Sequence, residues 1–156
     1  MPVRVQTEDF DAGRELAALR GQDRSVGAVA VFIGTVRDVN ANASVASMTL
    51  EHYPGMTERA LAAIIDDAKS RWDIADALVI HRVGALKPAD QIVLVGVTSA
   101  HRGEAFAACE FIIDYLKTQA PFWKKEGTSE GTRWVEPRVS DDDAAARWRT
   151  RDEPVA

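Results

Sequence analysis

The chain has 156 residues, of which 46% are hydrophobic and 28% charged, a mixture typical of one soluble domain with a real core. Its 19 lysines and arginines against 24 aspartates and glutamates leave a net charge of −5, which disfavours a general nucleic-acid binder. The single cysteine, Cys109, excludes an internal disulfide, a CxxC redox pair and a cysteine-rich zinc site. No segment reaches the roughly 20 apolar residues of a membrane span and no signal peptide is evident, so we predict a cytoplasmic protein.

The first half of the chain predicts two strands and a helix. Residues 26–33 form an apolar, β-branched run that is typical of a strand buried on both faces. Residues 38–44 are rich in turn formers and predict a loop, followed by a strand near residues 45–53. A helix capped by Thr57 should then cover the sheet. Its apolar face consists of Leu61, Ile64, Ile65, Ala68 and Trp72.

The second half predicts a hairpin and a longer helix. Residues 77–84 and 91–98 are apolar strands joined by a short connection, which favours antiparallel pairing. The helix that follows should start near residue 101 and stop before Pro121, because proline disfavours helical geometry in the residue ahead of it. Its apolar face consists of Ala105, Phe106, Cys109, Ile112, Ile113 and Leu116.

The C-terminal part predicts short elements only. Residues 122–126 and 133–136 resemble two short strands around a turn, and Ser140 begins a capping box for a short helix that carries Trp148. Strands that alternate with helices around a tight hairpin favour a two-layer α+β domain with a mainly antiparallel sheet. We expect one domain over residues 1–150 and a frayed tail over residues 151–156.

Three lysines and no acid lie between residues 115 and 125 of this acidic chain, at Lys117, Lys124 and Lys125. Lys117 falls near a helix C-terminus, where the helix dipole favours any cation, so a purely structural role is one interpretation. Lys124 and Lys125 are neighbours on a predicted strand, so their side chains should point to opposite faces. Only one of them can then enter a given pocket.

His101 and Arg102 stand directly after a strand, at the predicted start of a helix. Free backbone N–H groups and a positive dipole make such a position suitable for a phosphate or carboxylate. Pairing of Arg102 with Glu104 or another acid is an equally good interpretation. Arg37, at another strand end, has a side chain that can bind the same anion, although a lone arginine is more often a surface residue.

The other chemistry-bearing residues favour structural roles. His81 lies within a strand, so a buried, hydrogen-bonded histidine is the leading interpretation. A metal site of His52, His81 and His101 lacks any short ligand spacing. Cys109 lies on the apolar helix face and is expected to be a small core residue. The sequence has no Walker loop, GxGxxG or GxSxG motif.

Five segments occur in a fixed order along the chain. They are Phe32-Ile33-Gly34-Thr35-Val36-Arg37-Asp38, Leu50-Glu51-His52-Tyr53-Pro54-Gly55-Met56, Ile80-His81-Arg82-Val83-Gly84, Ser99-Ala100-His101-Arg102, and Asp114-Tyr115-Leu116-Lys117 continuing through Ala120-Pro121-Phe122-Trp123-Lys124-Lys125-Glu126. Each segment alone is a weak signal, but together they are specific. From about residue 26 to Trp148 the chain resembles the catalytic (large) subunit family of molybdopterin synthase.

The resemblance implies a cytoplasmic sulfurtransferase of molybdenum cofactor biosynthesis, which converts cyclic pyranopterin monophosphate (precursor Z) into the dithiolene molybdopterin. Sulfur would arrive as the C-terminal thiocarboxylate of a small ubiquitin-like subunit, so this chain needs no cysteine for the relay. The resemblance also implies an α/β hammerhead-type fold with additional short strands, and a homodimer within a heterotetramer. It implies no cofactor, metal, nucleic acid or membrane.

Carried over position by position, the resemblance assigns catalysis to Lys117 and Lys124. The positions expected to bind substrate are Thr35, Val36, Arg37, His101, Arg102, Lys125, Glu126 and Arg138, the last of them from the second protomer. The chain departs from the family pattern after Arg37, with Val39 where histidine is frequent and Ala43 where glycine is often seen.

Two alternatives from other classes stay open. A non-catalytic module that binds the tail of a ubiquitin-like protein would need a groove but no pterin site. A small RNA-binding domain would use Trp123, Trp134 and the lysines for stacking and phosphate contacts, but the negative total charge counts against it.

Overall fold

A computed structural model describes residues 2–40, 43–128, 131–135 and 139–149. Its elements in chain order are β1 (Val3–Gln6), α1 (Ala12–Arg20), β2 (Ala28–Thr35), β3 (Val39–Asn40), β4 (Ala43–His52), α2 (Met56–Arg71), β5 (Asp76–Arg82), β6 (Gly84–Leu86), β7 (Gln91–Ser99), α3 (Arg102–Gln119), β8 (Phe122–Thr128), β9 (Gly131–Val135) and α4 (Val139–Ala146). None of the helices in these ranges combines the length and apolar character that crossing a membrane requires.

The first sheet has the strand order β1-β5-β7-β2. The pairing of β1 with β5 is parallel, whereas β5–β7 and β7–β2 are antiparallel. α1 packs on one face of β5 and β7, where Gly96 leaves room for Leu16 and Leu19. α2 and α3 cover the other face, and the main core lies between them and the sheet.

The second sheet has the order β3-β4-β8-β9, with the short strand β6 also paired to β4. β4 is the strand that joins the parts of this sheet, because Leu50 lies opposite both Gly84 of β6 and Lys124 of β8. β8 follows directly on α3, so this sheet lies beside the C-terminal end of that helix.

The predicted α+β class with mainly antiparallel strands is confirmed. β5 and β7 pair as predicted, although the connection between them also contains β6. α3 ends at Gln119, before Pro121. The predicted faces of α2 and α3 are buried except at Phe106, which is exposed, and at Trp72, which is the C-cap of α2 and is partly buried. Two short strands, β8 and β9, occupy the predicted stretch after α3, and a short helix α4 follows them.

The prediction that residues 26–33 form a strand buried on both faces is wrong. β2 is the last strand in its sheet, and Val29, Val31 and Ile33 are about two-fifths exposed. The physical reason is that α1 covers its face of the sheet only at β5 and β7. On that face β2 is left uncovered in the single chain. Phe106 of α3, predicted on the buried helix face, is likewise 64% exposed.

Other corrections concern single residues and short elements. Thr57 does not cap α2, because Gly55 occupies the N-cap position with φ of 86° and donates its N–H to the Glu58 carboxylate (2.6 Å). Trp148 lies just after α4 rather than in it and packs edge-on against Trp72. β1 and α1 were not predicted, and the short strand β3 lies where a loop was predicted.

Candidate active site

Lys124 and Lys125 point to opposite faces of β8, as the strand alternation predicts. Lys124 lies opposite the buried Leu50 and is itself half-buried. Lys125 lies opposite Thr49 and is exposed. Paired residues on adjacent strands share a face, so the Lys124 side chain is directed toward the core side of the second sheet. Lys124 is therefore the one of the two that approaches a site beneath the sheet.

Lys117 lies in the last turn of α3, and the chain passes from there to β8 within five residues. This connection is held by Thr57, whose buried hydroxyl donates to the Pro121 carbonyl (3.1 Å) and accepts from the Tyr53 N–H (3.1 Å). The anchored connection fixes the end of α3 relative to the start of β8. Lys117, which is exposed, and Lys124 both act electrostatically on one neighbour.

That neighbour is His81 of β5, which is only 5% exposed. Its ring stacks on Phe122, with centroids 3.8 Å apart and an angle of 18° between the planes. Its Nδ1 donates to the Arg82 carbonyl at 2.8 Å, because a carbonyl oxygen only accepts. Burial above all, and then the charges of Lys117 and Lys124, lower the pKa of His81 to about 3, so the ring is neutral at physiological pH.

Arg37 lies just beyond the end of β2 and is exposed. It lines an open cleft of about 500 Å³ together with Val36, Asp38, Pro88 and Ala89. The Val36 side chain is buried, and its N–H and carbonyl bond to the backbones of Asp90 and Ala89 (both 2.9 Å). Val36 thus fixes the chain from which Arg37 projects, and Thr35 ends the strand before it with an exposed side chain.

His101 and Arg102 line a second open cleft, of about 450 Å³, with Gly27, Ala100 and Gly103. His101 is the N-cap of α3 and Arg102 its first residue, and both side chains are exposed. Among the described residues, no ion pair joins Arg102 to Glu104 or to another acid. The pairing that competed with the anion-site interpretation is therefore absent from this part of the chain.

The two clefts lie at opposite ends of the β2–β7 pair. Ala28 pairs with Ser99 at one end and Thr35 with Gln91 at the other, a separation of about 23 Å at roughly 3.3 Å per residue. We call the first the helix-start end, which carries His101 and Arg102. The second is the lysine end, which carries Arg37 and, beside His81, also Lys117 and Lys124, since His81 pairs with Val93 near Gln91.

A single chain therefore brings together only part of the set that the sequence predicts. Arg37, Lys117 and Lys124 share one end, and His101 and Arg102 do not join them. Lys125 lies on the far face of β8. Glu126 is placed in β8 by its backbone, and Arg138 lies outside the described residues.

Sequence reasoning missed the place of His81 beside the lysines. The alternating pattern of β5 predicts a buried histidine, and this prediction is confirmed. The same pattern does not predict which residues surround the ring. His52 also interacts with His81 and lies 3.6 Å from Glu58 across the N-terminus of α2. His52 pairs with Phe122 in the β4–β8 register, which places it near the stacked His81 ring. This pairing cannot be read from the sequence alone.

Comparison with known proteins identifies the family of the chain. The family model described as MoaE protein matches residues 5–119. The chain belongs to the MoaE family. A relative named molybdopterin synthase catalytic subunit, from Ralstonia nicotianae, is 67% identical over 94% of this chain and 83% of its own length.

Two solved structures resemble the fold. The molybdopterin biosynthesis MoaE protein from Burkholderia ambifaria is 57% identical with a TM-score of 0.80, over 94% of this chain and 96% of its own. Molybdopterin synthase from Staphylococcus aureus is 30% identical with a TM-score of 0.81, over 87% and 98%. The fold is thus retained at less than half identity in this family.

Proposed function

We propose that this chain is the catalytic subunit of a molybdopterin synthase that acts as a cytoplasmic sulfurtransferase. It would move sulfur from the C-terminal thiocarboxylate of a small ubiquitin-like subunit to cyclic pyranopterin monophosphate (precursor Z), forming the dithiolene of molybdopterin. The observation that carries the proposal is that Lys117 and Lys124, from two different elements, both act electrostatically on the buried His81, in a chain of the MoaE family.

The chemistry explains why two cations are needed at one place. A thiocarboxylate and a phosphate ester are both anions, so bringing them together in a partly dry site is repulsive unless fixed positive charges offset them. Lys124, half-buried on the inner face of β8, and Lys117, on the end of α3, supply such charges from two different elements. Lys117 would also exchange protons during phosphate-ring opening and water loss, or, as a neutral amine, attack the acyl carbon of the small subunit, so that an amide forms while the sulfur leaves with the pterin and the amine proton passes to solvent.

The substrate-binding role of His101 and Arg102 requires a second protomer. β2 is an edge strand whose exposed Val29, Val31 and Ile33 favour contact with another chain. A two-fold axis beside β2 would run two copies of this strand antiparallel. The helix-start end of one protomer would then lie near the lysine end of its partner, completing a site from two incomplete halves. This agrees with the homodimer that the resemblance implies.

Mixing two defective chains tests the shared site. Lys117→Ala removes a cation at the lysine end, and Arg102→Glu repels phosphate at the helix-start end. If the site is shared, co-expressed chains form mixed dimers with one intact site, which restores about a quarter of the wild-type rate. A site contained within one chain would give no recovery on mixing, which would contradict the shared arrangement.

The direct test of the function is reconstitution with the thiocarboxylated small subunit and precursor Z, followed by assay of dithiolene formation. We expect product with the wild-type chain and a loss of at least about a hundredfold with Lys117→Ala. Lys69→Ala, at an exposed lysine in the last turn of α2, is the matched control and should stay near wild type. If the wild-type chain binds the small subunit but forms no product, the chain is a non-catalytic binding module. If Lys117→Ala turns over at a near-normal rate, Lys117 has no role in the mechanism.

A further inference from the structure

His81 is held on several sides by groups that fix its orientation. Nδ1 is committed to the Arg82 carbonyl at 2.8 Å, and the ring lies flat on Phe122. The ring is also nearly inaccessible to water. Because Nδ1 carries the proton, the other ring nitrogen, Nε2, keeps its lone pair and can only accept a hydrogen bond.

The charged or titratable groups that act on the ring come from three other elements. Lys117 of α3, Lys124 of β8 and His52 of β4 all act on His81 electrostatically. Glu58 of α2 lies 3.6 Å from His52 Nε2, and it is not among the groups that shift the pKa of His81. Phe122 and Lys124 share a face of β8, since they are two residues apart on one strand. The stacked ring is therefore next to the lysine that enters the site.

A neutral hydrogen-bond acceptor can stabilise an ammonium group at this position without adding positive charge. Two lysines at one site repel each other while both are charged, and a third cation would add to the repulsion. A neutral imidazole lone pair instead stabilises an ammonium group and restricts its direction. The apolar side chains that fill the rest of this core cannot supply such an acceptor.

We propose that His81 is a positioning residue for sulfur transfer, whose neutral ring, fixed by Phe122 and the Arg82 carbonyl, presents Nε2 to the ammonium groups of the two lysines. It touches neither substrate nor thiocarboxylate and acts only through the lysines. The expected kinetic effects of this inference rest on the proposed function. The expected interaction between His81 and the lysines does not.

Kinetics of reconstituted enzyme separate this role from a merely structural one. His81→Phe keeps a ring for the stack and removes the acceptor, and we expect kcat to fall about ten- to a hundredfold with KM for precursor Z nearly unchanged. The basic limb of the kcat–pH profile should move about one unit toward acid, because the charged lysines lose a partner. His81→Gln, which restores a neutral acceptor, should recover most of kcat.

Leu78→Ala is the matched control, because Leu78 is buried in the same strand but belongs to the core cluster on the other side of the sheet. It should lower stability without moving the pH profile. If His81→Phe and Leu78→Ala change kcat and pH profile alike, or if His81→Gln is no better than His81→Phe, the positioning role is wrong.

A second measurement needs neither substrate nor a His81 variant that folds. In ¹⁵N spectra of the wild-type chain, Nδ1 of His81 should appear protonated and Nε2 should appear as an unprotonated, hydrogen-bonded nitrogen. Replacing Lys117 or Lys124 by alanine should shift the Nε2 signal of His81 and leave Nδ1 in place. An Nε2 signal that ignores both replacements would overturn the proposal whether or not the chain proves to be a synthase.

Discussion

The two ends of the β2–β7 pair carry cations in different ways. At the lysine end, the exposed Lys117 and the half-buried Lys124 come from different elements and both act electrostatically on a buried histidine. At the helix-start end, His101 and Arg102 are adjacent in sequence, exposed, and placed by the first turn of one helix. The first arrangement depends on tertiary packing, whereas the second follows from local geometry alone.

The difference indicates a division of roles. An open cleft at a helix N-terminus can bind an anion while leaving most of it hydrated, which suits recognition of a phosphate. Cations fixed by packing in a less hydrated place act more strongly on charge that develops during a reaction. Because Lys124 is half-buried, we propose that the lysine end is the chemical centre and the helix-start end a binding subsite. The following predictions test this contrast.

The largest expected effect separates two adjacent lysines. Lys124→Ala should lower the rate of dithiolene formation at least about a hundredfold, because its side chain lies on the inner face of β8. Lys125→Ala, on the outer face of the same strand, should cost less than about tenfold and serves as a control for β8 stability. Single-turnover assays with saturating small subunit measure both. Equal losses of rate in the two variants would mean that the face of β8 on which a lysine lies does not determine its role in the reaction.

A smaller effect of a different kind is expected at the helix-start end. Arg102→Ala should raise KM for precursor Z about tenfold and change kcat less, because a phosphate contact is made in ground and transition state alike. The penalty should shrink as salt is added, since the cleft is open to solvent. Arg20→Ala, at an exposed arginine in the last turn of α1, is the control. A fall in kcat with no change in KM would mean that Arg102 takes part in catalysis, and the two ends would then not differ in role.

Local features of this site were predictable from the sequence and long-range ones were not. The opposite orientations of Lys124 and Lys125, and the placement of His101 and Arg102 at a helix start, follow from the geometry of one strand and one helix. The apolar character of β2 indicates that its surface should be buried, but not that α1 would leave one face of it uncovered in the single chain. Which strands pair, and hence that His81 meets the lysines, depends on register between distant segments.

The buried histidine at the lysine end should make stability depend on pH. The pKa of His81 is lowered from 6.5 to about 3 in the folded chain, so below pH 6.5 the unfolded state binds a proton that the folded state does not. The free energy of unfolding should therefore decrease as pH falls, by roughly 1 kcal/mol per pH unit between about pH 6 and 4. Urea titrations across this range measure the slope.

The same titrations on His81→Gln assign that slope. Glutamine does not titrate, so the dependence of stability on pH that His81 causes should disappear in the variant. Asp9 and Asp23, whose pKa values are lowered from 3.8 by hydrogen bonds to Gln91 and Ser25, affect stability only at lower pH. An unchanged slope in the variant would mean that His81 is not the neutral group that the lysine end requires.

The smallest expected effect lies midway along α3, between the two ends, at Cys109. Burial raises the pKa of this thiol to about 12, and Glu110 adds to the shift, so at pH 8 a thiol reagent should modify the folded chain roughly a thousandfold more slowly than the unfolded one. Cys109→Ala should leave dithiolene formation near wild type and cost about 1 kcal/mol of stability. Because the proposed sulfur donor is the small subunit, loss of transfer in this variant would mean that the chain itself carries sulfur, and the lysines would then act on a different intermediate.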